Sequence, residues 1–168
     1  MENRGVTLIE LISVLAISAI LGLVAVPALN SLIQKQQLRT AAYSLYHLLI
    51  TARATAISQQ NRISVWNQDG DWRSGVEVFL DSNENGQRES AETRLYAAAD
   101  HENMTISGNS PVANYVSYIP NGRAAKANGA FQAGTITLCK SGVSDRYQLI
   151  ISSVGRLRLQ KSTTSSCP

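Results

Sequence analysis

A chain of 168 residues is too short for a string of domains and suits one domain plus an anchor. Its hydrophobic content of 44% is ordinary, and its formal net charge of +3 is too small to name an anionic partner by itself. The distribution is informative instead: apolar residues crowd the N-terminal part and the charges fall in blocks.

From Leu11 to Ile33 there is no charged residue, and only Ser13, Ser18, Asn30 and Ser31 interrupt the apolar character. About 20 apolar residues span a bilayer core, so the run is long enough to cross one. A buried core helix of this length would normally keep a polar face. A secretory signal has a shorter apolar stretch, about 7–15 residues, followed by a small-residue cleavage site. This run passes directly into a further helical pattern, which predicts a retained membrane helix.

Glu10 sits just inside that helix. A charge at mid-membrane costs about 2.5–3.5 kcal/mol even on the mildest scale, so the acid needs a positive partner. A new α-amine, made by cutting between Gly5 and Val6, would serve. The string RGVTLIEL, Arg4 to Leu11, resembles the type III signal of type IV pilins and pseudopilins. That resemblance implies a leader of residues 1–5, cleavage after Gly5 by a prepilin peptidase, and N-methylation of Val6, where the family usually has Phe. It also implies that Glu10 pairs with the N-terminal amine of a neighbouring subunit during filament assembly. Pro27 falls where these helices usually carry a kink-forming proline, consistent with the loss of one helix hydrogen bond there. Arg4 precedes the helix, so the positive-inside tendency puts the N-terminus in the cytoplasm and the globular part beyond the inner membrane.

Residues 34–60 continue as an amphipathic helix after the 6–33 membrane and filament-core segment. Leu38, Ala41, Ala42, Leu45, Leu48, Leu49, Ala52 and Ala56 recur at three- and four-residue steps and mark one apolar face. From Asn61 the pattern changes to period two. Strands are predicted at 62–67, 75–80, 93–98, 103–107, 114–119, 134–139, 146–151 and 154–160, each rich in Val, Ile, Leu, Tyr or Thr. Asn85-Gly86, Asn121-Gly122 and Asn128-Gly129 suggest tight hairpin turns in which both residues take positive φ. The expected class is α+β: a long N-terminal helix packed on an antiparallel β-sheet domain of residues 61–168.

The stretches WRSGVEVFLDSNENGQRESAETRLY, YVSYIPNGRA, ITLC and VGRLRLQ, with Cys167, resemble the GspH/FimT family of minor pilins and pseudopilins. The basic C-terminus and the paired cysteines lean toward its FimT/FimU branch. In an oxidising periplasm, Cys139 and Cys167 read as a disulfide. Free thiols or metal ligands are the alternatives, but no CxxC spacing and no nearby histidine supports a metal.

Asp81, Asn83, Asn85, Gly86, Gln87, Glu89 and Glu92 match positions 1, 3, 5, 6, 7, 9 and 12 of an EF-hand loop. EF-hand loops join helices, whereas this one lies between strands. The reading is a hairpin with solvated acids, with calcium as the alternative and no other cofactor expected.

Charge is laid out unevenly. Residues 34–68 carry four basic residues and no acid, 69–102 carry nine acids and three arginines, and 103–168 carry seven basic residues and the single acid Asp145. A basic end apart from an acidic region suggests an anionic partner. Within Gly155-Arg156-Leu157-Arg158-Leu159-Gln160-Lys161, strand alternation turns Leu157 and Leu159 to the core. Arg156 and Arg158 then stand together on the open face, about 6.6 Å apart. Guanidinium forks bind phosphate bidentately. GRLR resembles the GRxR motif of DNA-binding FimT minor pilins that act in natural transformation, which implies that Arg156 and Arg158 contact the backbone of double-stranded DNA. Lys161 is added here as a further phosphate contact. No aromatic platform is visible beside the arginines, so phosphate contact and not base reading is expected. The competing reading is an edge strand protected by charge.

No GxSxG, HExxH, P-loop or GxGxxG occurs, and His47 and His101 stand alone. The chain therefore reads as a filament subunit and not an enzyme, with other pilins, prepilin peptidase and the inner membrane as partners. A type IV pilus and a type II secretion pseudopilus both remain open.

Overall fold

The computed structural model describes residues 7–98, 100–101, 103–163 and 167. One continuous helix, α1, runs from Leu8 to Gln59, 52 residues that pass through Pro27 without a break. The apolar segment and the amphipathic segment are thus parts of one rod, as the continuing helical pattern predicts. Thr7 caps its start, the hydroxyl accepting from the Glu10 amide at 3.4 Å, so Glu10 occupies the third helical position of a capping-box sequence. The cap at the other end is Gln60, in the left-handed region at φ 53°.

The rod has two halves with opposite surroundings. Its membrane-length window has a mean hydropathy of 2.5 and is 0% buried, so side chains such as Leu15, Leu21 and Leu29 meet nothing within the chain. From Leu38 onward the helix lies on the β-domain. Leu38, Ala41, Ala42, Leu45, Leu49, Ala52 and Ala56 are buried, and Leu48 packs beside them. Four of these are alanines, which let the strands come close to the helix axis.

The strands are β1 Ile63–Trp66, β2 Val76–Leu80, β3 Arg94–Ala98, β4 Thr105–Gly108, β5 Tyr115–Tyr118, β6 Gly134–Cys139, β7 Asp145–Ile151 and β8 Leu157–Thr163. They form two four-stranded sheets, ordered β3-β2-β1-β5 and β4-β6-β7-β8, antiparallel throughout. All eight strands stand where alternation predicts them, except that β8 begins and ends three residues later than 154–160. Inward residues of both sheets, including Ile63, Val65, Val78, Val116, Ile136, Leu138 and Leu149, meet the helix in one core. Trp72 is buried between the sheets, and its indole N–H donates to the Val112 carbonyl at 3.0 Å.

The Asn-Gly turns differ from expectation. Gly122 N donates to Ile119 O and Ile119 N to Arg123 O, so the loop is the three-residue Pro120-Asn121-Gly122 and not a two-residue hairpin. Lys126 to Ala130 repeats the arrangement around Ala127-Asn128-Gly129. Only the glycines take positive φ, 76° at Gly122 and 80° at Gly129. Each asparagine works through its side chain instead, its Oδ1 accepting the amide two residues on: Arg123 from Asn121 and Ala130 from Asn128.

Candidate functional site: a basic, tyrosine-lined groove at the sheet edge

The β7–β8 turn shares this geometry. Gly155 N donates to Ser152 O at 2.8 Å, and Ser152 N to Arg156 O at 3.0 Å. Gly155 has φ +76° and is buried against the 121–124 loop. A Cβ there would collide with the Gly122 carbonyl oxygen and come within 3.1 Å of Ala124 N and Arg123 Cα. In GRLR the glycine is therefore a seat. It presses the start of β8 onto the 121–124 loop, and Arg123 and Arg156 are both exposed there. Gly122 in turn rests on α1, its carbonyl accepting from Arg53 Nε at 2.8 Å.

Beyond Gly155 the chain becomes the edge strand of the second sheet. Leu157 and Leu159 turn inward and pack on the core, while Arg156 and Arg158 are exposed, as alternation predicts. Lys161 departs from the expectation. It shares the parity of Leu157 and Leu159 and so lies on the helix side, where its ammonium pairs with Asp145 at 2.9 Å. The hydrogen bond from Asp145, its main cause, raises the Lys161 pKa above the ordinary lysine value.

Three tyrosines lie near β8 on its helix side, which the sequence reading did not anticipate. A cavity of about 480 Å³ lies between α1 and β8, lined by Tyr43, Tyr46, Tyr147, Leu157 and Leu159 together with Arg156, Arg158 and Lys161. Tyr43 and Tyr46 come from the helix and Tyr147 from β7. Arg39 sits over the Tyr43 ring, 5.6 Å from its centroid. His47 packs against Tyr46 edge-on with ring centroids 5.7 Å apart.

Cys139 and Cys167 are joined in a disulfide with a Cα–Cα distance of 5.8 Å. Cys139 lies on the sheet face away from the helix, opposite Arg146 of β7, so the bridge carries the C-terminus back past β7 from the edge.

The acidic loop uses its oxygens on itself. Asp81, 2% exposed, accepts from the Asn85 amide at 3.1 Å, the Gly86 amide at 3.0 Å, Ser64 Oγ at 2.5 Å and Ser117 Oγ at 3.4 Å. Glu92 accepts from the amides of Ser82 and Glu89, and Glu89 accepts from the side-chain amides of Asn83 and Asn85. Asn83 and Asn85 turn their own oxygens to the amides of Asn85 and Gln87. Oxygens at EF-hand spacing thus help to close the loop, and among the described residues no three His, Cys, Asp or Glu converge as metal ligands. Gly5 and Val6 lie outside the described residues, while Glu10 is exposed on the first turn of α1.

Residues 41–155 match the family described as type II transport protein GspH, and residues 1–26 match the prokaryotic N-terminal methylation motif. The chain belongs to the GspH family. Its fold is similar to that of the type IV minor pilin FimU of Pseudomonas aeruginosa in two crystal forms. One has 24% identity and a TM-score of 0.62 over 80% of this chain and 98% of FimU. The other has 26% identity and a TM-score of 0.59 over 77% and 99%. The minor pseudopilin EpsH of the Vibrio cholerae type 2 secretion system shares the fold at 15% identity and a TM-score of 0.53, over 74% of this chain and 96% of EpsH. No curated protein matches the sequence. This GspH-family chain is a minor pilin or pseudopilin of a type IV pilus or type II secretion system, a structural subunit and not an enzyme. The GspH match stops at Gly155, one residue before Arg156, so the arginines stand just beyond the segment that defines the family.

Proposed function

We propose that this minor pilin is cut between Gly5 and Val6, is methylated on Val6, enters a filament through Glu10, and there binds DNA through Arg156 and Arg158. The apolar first half of α1 anchors the chain in the inner membrane before assembly, with the N-terminus cytoplasmic and the β-domain periplasmic. Glu10 suits the assembly role because it is exposed at the start of a helix whose whole first half has no partner within the chain. The observation that supports DNA binding is the exposed pair Arg156 and Arg158 at the start of edge strand β8, beside the loop that carries the exposed Arg123.

These arginines contact phosphates, so binding to duplex DNA is sequence-independent and weak. With about three contacts, log affinity falls against log salt with a slope near −2 to −3. The test is fluorescence anisotropy of a labelled duplex with the full-length protein in detergent, repeated for Arg156→Ala/Arg158→Ala. The double variant is expected to lose most binding and to flatten the slope to about −1. Unaltered DNA retention would sink the proposal. In cells, the same variant is expected to lose DNA uptake while pili and secretion persist. A second reading is a structural subunit of a pilus tip or secretion pseudopilus without DNA binding. It draws on the position of β8 at a sheet edge, where charge alone guards against strand pairing.

A further inference from the structure

The groove between α1 and β8 has features that phosphate contact alone leaves unused. Its floor is aromatic: Tyr147 is 6% exposed and Tyr46 half-buried, whereas the ring of Tyr43 is 41% exposed. Tyr43 also lines a separate hollow, whose other residues include Arg39, His47, Leu48 and Ala98 of β3, the edge strand of the first sheet. Arg39 borders the second hollow and Arg156, Arg158 and Lys161 the first, where the Lys161 ammonium is already paired with Asp145 at 2.9 Å. At about 480 Å³ the inner hollow falls within the range of sites that hold small organic groups, about 300–1,000 Å³. Its outer wall is an edge strand, whose outward N–H and C=O groups have no neighbouring strand to pair with.

Cations in a row beside exposed aromatic rings suit a flexible polyanion that also carries flat π-systems. Phosphates meet the arginines, and bases stack on tyrosine with little regard for sequence because every base has a π-face. A stacked duplex cannot offer a base face to this groove, since its faces are covered by neighbouring pairs. An acidic peptide would satisfy the cations and leave the rings unused. We propose that the α1–β8 groove takes an unpaired nucleobase on Tyr43, so that this protein holds single-stranded DNA, or the single-stranded end of a duplex, more tightly than blunt duplex. This rests on the DNA-binding reading above and adds the form of DNA that is bound.

The test separates bases from phosphates. The full-length protein in detergent is titrated with a labelled oligothymidylate, an abasic oligonucleotide of the same length, a blunt duplex and polyglutamate. The oligothymidylate is expected to bind about tenfold more tightly than the abasic strand, the size of one base–aromatic stack. Tyr43→Ala is expected to erase that difference, and Tyr43→Phe, which keeps the ring, to restore it. Arg156→Ala/Arg158→Ala is expected to weaken both strands together. Equal binding of the thymidylate and abasic strands overturns the groove proposal while leaving phosphate binding intact, as does a base preference that survives Tyr43→Ala. Polyglutamate binding as tightly as the thymidylate would also overturn it, in favour of an acidic protein partner. If no oligonucleotide binds, both this inference and the DNA reading fall.

Discussion

Gly155 and Gly129 offer a controlled pair, because they share a backbone conformation but not a neighbourhood. Their φ angles are +76° and +80°, and both close three-residue turns. An added Cβ at Gly129 meets nothing within 4 Å, whereas at Gly155 it collides with the Gly122 carbonyl and crowds Ala124 and Arg123. Gly129→Ala should therefore cost only the left-handed conformation, about 1–2 kcal/mol. Gly155→Ala adds an overpacking cost of about 1–3 kcal/mol against backbone that cannot rotate away, for a total of about 2–5 kcal/mol. At about 4 °C per kcal/mol for a domain of this size, Tm should fall by about 4–8 °C for Gly129→Ala and about 8–20 °C for Gly155→Ala. Thermal denaturation followed by far-ultraviolet circular dichroism, on the full chain in detergent, reads both. Below its own Tm, the Gly155 variant should also bind duplex DNA less well than Gly129→Ala, although every arginine is present. Equal losses of Tm in the two variants would show that β8 is not seated on the 121–124 loop, and the argument that Gly155 sets the arginine positions would fail with it.

Reduction of Cys139–Cys167 should also destabilise the domain. The bridge closes a 28-residue separation, for which loop-closure entropy gives about 3–4 kcal/mol. Denaturant midpoints with and without a reductant measure this, and coincident curves would count against any stabilising role. The acidic loop should behave as a closed hydrogen-bonded turn, with Tm unchanged within about 1 °C between excess calcium and a chelator, because RT ln(1 + [L]/Kd) vanishes without binding. A calcium-dependent rise of several degrees would mean that Asp81 and Glu92 exchange their amide partners for the ion.

The parts of this fold that are written locally could be read from the sequence. Three- and four-residue spacing marked the buried face of α1, with only Leu48 left partly covered, and alternation located all eight strands. Period two also placed Leu157 and Leu159 inward and Arg156 and Arg158 outward. The same rule puts Lys161 with the leucines, and its pairing with Asp145 could have been anticipated from parity alone. The groove was not legible. Tyr43 and Tyr46 lie off the apolar face of a helix more than a hundred residues before β8, and only the packing of that helix on the second sheet brings them to the arginines. The seating of Gly155 on the 121–124 loop is a backbone-to-backbone fit, which leaves no trace in spacing. The acidic loop shows the reverse: a metal-like spacing arises because oxygens at alternate positions can also cap the amides of a tight loop.

The bridge between Cys139 and Cys167 has a mechanical meaning. It encloses β7 and β8 in one covalent ring rooted on β6, an interior strand of its sheet. An edge strand is ordinarily the first to peel under load, unzipping one hydrogen-bonded pair at a time from its free end. Here that end is tethered two strands inward, so tension applied at Arg156 and Arg158 is shared with β6 and with the core beneath it. A pull on β8 would thus be borne by the whole sheet at once.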